Sequence, residues 1–269
     1  MLYLSELWVY PVKSLGGISL SESIAERRGL RHDRRWMLVD EHGQFVTQRE
    51  IPEMALLGTA LDATNLIVFS KKQPGERIHI PLEQDMGGLE QIMVQVWSAR
   101  CKAQVLPSFI NDWFSDILKH KLRLTRMPPT VRRSVDGRYA PKGQYVSFAD
   151  AFPYLLIGQA SLDDLNCRLD TALPMNRFRP NFVCTGSEPF AEDHWSEFII
   201  GSLKFKGVKP CARCPIPTID QETALRSKEP LKTLNSYRKF NNKVLFGQNL
   251  VWLDDTAEAR IKVGDPIIL

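Results

Sequence analysis

Over the first third of the chain, apolar residues alternate with polar ones or gather in runs of four to eight, the spacing of strands rather than helices. Residues 2–10 form one such run, rich in aromatic and aliphatic side chains and closed by Pro11. The run Trp36-Met37-Leu38-Val39, then Asp40-Glu41-His42-Gly43, then Gln44-Phe45-Val46-Thr47 predicts a hairpin. Further strands are expected at 66–70, 77–80 and 92–96, with breakers at Gln73-Pro74-Gly75 and Gly87-Gly88. The period then changes. Phe109, Ile110, Trp113, Phe114, Ile117 and Leu118 recur at helical spacing, with Ser108 placed as their cap. Pro128-Pro129 interrupts, and residues 132–143 are polar without periodicity, so a seam between two domains is expected there. A second helix is predicted from Ser161, with Asp164 three residues on and Leu162, Leu165 and Leu169 on one face. A third starts at Pro230 and carries Leu231, Leu234 and Tyr237. Short strands at 250–253, 260–263 and 266–269 close the chain. There is no internal repeat. Many short strands and few helices predict a mixed, mainly β, barrel-like fold rather than regular βαβ alternation.

Composition narrows the function classes. With 269 residues, 43% hydrophobic and 25% charged, the chain can bury a full core without disulfides or structural metals. A net charge of +4 suits an anionic ligand. Its basic runs are short, as at Arg132-Arg133, and none interleaves with stacking aromatics, so no nucleic-acid partner is expected. Five scattered cysteines, an odd number, argue against a secreted disulfide framework and for a reducing compartment. The N-terminus lacks a signal-peptide pattern, and no apolar run approaches the roughly 20 residues of a membrane span, which points to the cytoplasm and no membrane partner.

The densest chemical feature is Val208-Lys209-Pro210-Cys211-Ala212-Arg213-Cys214-Pro215. A structural zinc site would need a second Cys pair or a His pair, and the nearest histidine is His194. A thioredoxin-like pair would sit at a helix N-terminus, which Pro215-Ile216-Pro217 suits poorly. Two buried apolar thiols are the third possibility, but Lys209 and Arg213 flank them, and nearby positive charge favours the metal-ligating thiolate. Two more clusters pair cations with constrained backbone. In Tyr10-Pro11-Val12-Lys13-Ser14-Leu15-Gly16-Gly17, a strand stops at the proline, and Lys13 and Ser14 could meet a phosphate, although the P-loop order is absent. In Asn176-Arg177-Phe178-Arg179-Pro180-Asn181, Pro180 is expected to extend Arg179 toward a site. A solvated lysine in a turn and an exposed basic loop are the plainer alternatives for these two.

Together, in this order, several motifs resemble one family. They are Tyr-Pro-Val-Lys-Ser at 10–14, Asp-Arg-x-Trp at 33–36, Val-Thr-x-Arg at 46–49 and Ser-Phe-Ala-Asp at 147–150. Ala-Ser-Leu-Asp-Asp-Leu-Asn at 160–166, Phe-Arg-Pro-Asn at 178–181 and Lys-Pro-Cys-x-Arg-Cys at 209–214 follow. Glu-Pro-Leu-Lys-Thr-Leu at 229–234, Phe-Gly-Gln-Asn at 246–249 and Lys-Val-Gly-Asp at 262–265 complete the set. The chain is similar to the MOSC-domain family with an N-terminal MOSC β-barrel domain, closest to bacterial YcbX-like proteins and mitochondrial amidoxime-reducing components.

The resemblance implies an N-terminal β-barrel-like α+β domain over 1–125 and a β-barrel MOSC domain with peripheral helices over 126–269. It implies a molybdenum cofactor whose metal is held by the pterin dithiolene and by the second cysteine of the motif, Cys214, which is thereby the catalytic and metal-binding residue. High-valent molybdenum in a sulfur-rich shell accepts another soft anionic ligand. Lys13, Ser14, Arg34 and Arg179 match cofactor-contacting positions, with Asp150 and Asn181; Arg213 would help neutralise the anionic centre, and Cys211 would be structural or would support the groups around the metal. The implied reaction is reduction of N-hydroxylated or related N-oxygenated compounds by oxygen-atom transfer, with no protein general base assigned. Two departures stand out. Ala212 occupies a position where relatives often have Ser, and no iron–sulfur cluster motif follows before Leu269, so electrons would come from a separate ferredoxin- or flavoprotein-like partner. Two other readings stay open: a carrier of the cofactor or of its sulfur without turnover, and a metal-free thiol-redox protein using Cys211 and Cys214.

Overall fold

The strand Tyr3–Val9 buries Leu4, Leu7 and Val9 completely, a spacing that a regular alternation would not give. A register shift between Leu4 and Glu6 against Phe182–Thr185 inserts the extra residue and returns Leu7 to the inner face. That pairing sets the architecture. The computed structural model describes residues 1–83, 88–254, 256 and 258–269. Gly87 of the expected Gly87-Gly88 break lies outside the described residues.

The largest sheet runs Ile18–Leu20, Tyr3–Val9, Phe182–Thr185, Tyr154–Gly158, Lys243–Trp252, Leu203–Ala212, Glu197–Ile200, Ile267–Ile268. Its one parallel pair, Tyr154–Gly158 beside Phe182–Thr185, is joined by a crossover that includes the helix Gln159–Asn166. Tyr154 and Phe182 stack at 5.3 Å on its buried face with Phe205 edge-on, beside Trp252 in the same cluster. Residues of the first thirty positions thus share a sheet and a core with the C-terminal half: Leu4, Leu7, Val9, Ala25 and Leu30 pack with Leu250 and Ile261.

A four-stranded antiparallel sheet, Trp36–Val39, Arg123–Arg126, Ala99–Val105, Gln91–Val96, and a meander Leu57–Leu61, Asn65–Ser70, Arg77–Pro81 make up much of the rest. The helix Ser108–Leu118 buries Ile110, Phe114 and Leu118 against Leu66, Ile80 and Leu124. The chain is mainly β, and the helices Gln159–Asn166 and Leu231–Tyr237 pack Leu162, Leu165 and Leu234 with Ile157, Val183 and Phe246 of the largest sheet's central strands.

Several local expectations shift. Trp36–Val39 pairs along its length with Arg123–Arg126, and the expected hairpin is reduced to a short return: Val39 bridges Phe45 antiparallel, and the Asp40 and Val46 amides bond to the Gln44 and Leu38 carbonyls at 3.0 and 2.9 Å. The Asp40 carboxylate does close the turn, accepting the His42 and Gln44 amides at 2.9 and 2.8 Å. Ser108 is not a cap: Pro107 holds that position and no side chain caps the helix. Ser161 lies inside its helix, whose N-cap is Gly158. The acceptor for the Gly158 amide comes instead from the buried Glu192, at 3.0 Å, which also takes the Ser161 hydroxyl. The strand expected at 250–253 begins earlier, as Lys243–Trp252. The expected third helix is present as Leu231–Tyr237 behind Pro230.

Candidate functional site

Where the two large sheets meet, a cavity of about 720 Å3 opens. Lys13, Ser14, Arg34, Asp150, Arg179, Asn181, Arg213 and Cys214, which the sequence scatters over two hundred positions, all line it. Seven basic side chains (Lys13, Arg34, Arg49, Arg133, Arg179, Lys209, Arg213) face two acidic ones, Asp136 and Asp150. Such an enclosure concentrates positive potential on an anionic guest.

One side is closed by hydrogen bonds. Asp33, wholly buried, accepts from Arg34 Nη1 through both oxygens at 2.9 and 2.8 Å and from the Tyr10 amide at 2.9 Å. Arg34 also donates to Asn181 Oδ1 (3.2 Å) and to the Arg179 carbonyl (3.0 Å). Asn181 is held in turn, donating to the Trp8 carbonyl at 3.1 Å. The guanidinium groups of Arg34 and Arg179 each lie 4.3 Å from the centre of the Tyr10 ring. Burial, with the Arg34 charge adding to it, pushes the Arg179 guanidinium down to about 10, still protonated at neutral pH.

Backbone strain collects here. Ser14, Arg34 and Arg179 all have positive φ, at 69°, 47° and 57°. Arg179 is therefore not extended as Pro180 led one to expect. The proline excludes the right-handed helical region, and the chain takes the left-handed one, with the Arg179 amide bonded to the Asn176 carbonyl at 3.2 Å. Its side chain donates to the Leu15 carbonyl at 2.7 Å, while Nη2 is buried with no protein partner.

The opposite side is more open. Lys13 Nζ, on a side chain 6% exposed, meets Asp150 Oδ1 at 2.5 Å and the Phe148 carbonyl at 2.8 Å. Burial pushes the Lys13 amine below its ordinary value, and Asp150 opposes that shift. Enclosure works against ionisation of Asp150, yet the Lys13 charge and hydrogen bonds from Lys13 and the Trp97 indole hold its carboxyl well below the usual range. The indole nitrogen reaches Asp150 at 3.0 Å, and Arg49 stacks 4.2 Å over the Trp97 ring.

The thiols sit where the strand Leu203–Ala212 ends. Register shifts against Lys243–Trp252 fall between Gly207 and Lys209 and between Pro210 and Ala212, where Pro210 has no amide to give. The chain then makes a single 3-10 turn, Ile216–Thr218, so the pair does not stand at an α-helix N-terminus. Both thiols are unpaired and partly exposed. Arg213 turns to Cys211, donating to its sulfur at 3.2 Å and to the Phe178 carbonyl at 2.7 Å, with Nε buried and unpartnered. The lowering expected from neighbouring charge is not realised at Cys211: burial pushes that thiol up, and the Arg213 charge only offsets it. Among the described residues no group of three or more His, Cys, Asp and Glu is placed to hold a metal ion by itself.

Sequence reasoning passed over Trp97, gave Arg49 and Arg133 no role in the site, and read Lys209 only as a charge flanking the thiols. Arg133 braces the wall by donating to the Ser147 carbonyl at 3.0 Å and to that of Ala149. Trp97 gave one legible signal, a two-residue gap between alternating strands that lacks the usual Gly or Asn.

Residues 1–121 match the family described as the MOSC N-terminal beta barrel domain, and residues 143–268 match the MOSC domain. Over 283 residues the chain is 32% identical to mitochondrial amidoxime-reducing component 1 of Homo sapiens, covering 98% of this chain and 82% of that protein. The Mus musculus protein of the same name is 32% identical over 280 residues, with coverages of 98% and 81%. A molybdenum cofactor sulfurase of Arabidopsis thaliana is 31% identical over 285 residues, which is 98% of this chain but 35% of that longer protein.

Proposed function

Since the chain belongs to the MOSC-domain family with an N-terminal MOSC β-barrel domain, we propose that its cavity binds the molybdenum cofactor, with Cys214 as the protein's sulfur ligand, and reduces N-hydroxylated compounds. The observation that carries this is the convergence of Cys214 and the cationic lining in one cavity of about 720 Å3. The residues fit the group. Buried guanidinium atoms without partners, Arg179 Nη2 and Arg213 Nε, fit an anionic guest, since buried polar atoms normally find a partner. A partly exposed thiol offers the soft ligand that molybdenum accepts.

When bound, the cofactor supplies two-electron oxygen-atom exchange. The chain's own part is to hold and orient. Lys13, Ser14, Arg34 and Arg179 would hold the anionic portion, with Arg34 and Arg179 fixed in place before binding by Asp33, Asn181 and the Leu15 carbonyl. Asp150 keeps Lys13 aligned. Arg213 supplies positive charge between the two sulfurs, and no side chain is assigned as a general base. Electrons would come from a separate ferredoxin- or flavoprotein-like protein. Five unpaired cysteines fit a reducing compartment, the cytoplasm; no helix among the described residues is long and apolar enough to cross a membrane.

Similarity to a cofactor sulfurase favours a second reading, a carrier that holds the cofactor or its sulfur without turnover. Molybdenum and pterin content, with benzamidoxime reduction by a chemical reductant, separates the two in protein from a cofactor-competent host. Near-stoichiometric metal and pterin with reduction lost in Cys214→Ser supports the enzyme. Bound pterin without turnover in either protein moves the assignment to the carrier, and no metal or pterin in either sinks both.

A further inference from the structure

Gln91–Val96 and Ala99–Val105 form a hairpin whose register pairs Val96 with Ala99, leaving Trp97 and Ser98 as its two-residue turn. A turn of this kind with positive φ at its first central residue is ordinarily filled by Gly. Here that residue is Trp97, at φ 56°. A bulky aromatic in this region carries a cost that the surroundings must impose, and such costs gather at functional positions. The surroundings do impose it. The indole N–H donates to Asp150 Oδ1 at 3.0 Å, and the Trp97 carbonyl accepts from Gln95 Nε2 at 2.9 Å. Arg49 stacks at 4.2 Å and Phe45 lies against the ring at 5.3 Å. Yet the ring is not there to fill the core: Trp97 is 44% exposed and lines the cavity. Local turn chemistry and burial both argue against a tryptophan at this position, and only the cavity gains from it.

We infer that Trp97 is the surface on which the substrate's planar group stacks, so that this chain selects aryl-bearing N-hydroxylated compounds over alkyl ones with the same reacting group. Asp150 is a positioning residue for it, acting through the indole N–H. The inference rests on the proposed reductase function for the identity of the reacting group, but the stacking can be read without turnover.

The test is titration calorimetry of the cofactor-loaded protein, without reductant, against benzamidoxime and acetamidoxime. Wild type is expected to bind the aryl compound about tenfold more tightly. Trp97→Gly should bring the two ligands within about twofold while leaving the melting temperature unchanged or higher, because Gly suits the turn. Trp97→Phe, which keeps a ring but loses the bond to Asp150, should fall between them. No aryl preference in wild type, or a preference kept in a folded Trp97→Gly, overturns the inference. Failure to reduce either compound while the binding preference persists would count against the reductase reading and leave the role of Trp97 standing.

Discussion

On one side of the cavity Asp33, wholly buried, holds Arg34 through both carboxylate oxygens; on the other Asp150, its side chain 51% exposed, holds Lys13 through one. Each is a carboxylate set against a cation, and each supports a residue facing the same space. They differ in what else they touch. Asp33 also takes the Tyr10 amide, and its partner Arg34 reaches Asn181 and the Arg179 carbonyl, so every oxygen and most donors are used within the protein. Asp150 shares its oxygen with the exposed Trp97 and leaves that side open to a guest. The closed side, with Lys13, suits holding a permanent ligand, and the exposed Trp97 on the open side suits one that comes and goes.

The sharpest way to break this contrast is to remove the closed carboxylate. Asp33→Ala leaves Arg34, whose side chain is 12% exposed, without its ion pair and the Tyr10 amide without an acceptor. Losing one partner of a buried pair costs about 3–5 kcal/mol, because the remaining charge is uncompensated. Urea unfolding of the purified variant should show a loss of that size. A loss below about 1 kcal/mol would mean that Asp33 is a spectator of the closed side.

Asp150→Asn should be milder, costing about 1 kcal/mol at neutral pH, because a half-exposed carboxylate is screened by water. It should also change the pH dependence. A carboxyl held below its ordinary range lends stability that is complete above about pH 4 and is lost as pH falls through the lower folded value. Wild type should therefore lose stability more steeply than Asp150→Asn below that pH. Parallel acid limbs in thermal melts would show that the Lys13–Asp150 contact does not persist in solution.

The two sides were also unequally legible. Strands such as Asn65–Ser70 declare themselves by local alternation, because burial of one face imposes it, and Tyr3–Val9 by its run of apolar residues. Their partners do not, since nothing local says that Tyr3–Val9 will lie beside Phe182–Thr185 or Trp36–Val39 beside Arg123–Arg126. Arg34 was named only through the resemblance carried by Asp-Arg-x-Trp at 33–36, whereas Lys13, Arg179 and Cys214 stood out because charge or sulfur close to proline or glycine is unusual in sequence. Trp97 did not, because a tryptophan after a strand looks like core until its turn and exposure are known. Left-handed Arg179 was missed for a related reason: proline excludes one region of backbone space without naming which of the others is used.

The smallest effect is the most discriminating about how complete the closed side is. The Tyr10 ring lies 4.3 Å from both Arg34 and Arg179, while its hydroxyl is buried without a partner. Burial accordingly pushes the phenol well above its ordinary value. Tyr10→Phe keeps the ring and its attraction for the two cations and removes only the unsatisfied group. Leaving a buried donor unpaired is unfavourable, so its removal should stabilise the protein by between zero and about 1 kcal/mol. A thermal melt of the variant settles the sign. A gain, or no change, means the closed side is held by Asp33 and the two arginines alone. A loss of more than about 1 kcal/mol would show that the hydroxyl finds a partner in solution, an ordered water or a bound group, and that the closed side is completed by something other than the chain itself.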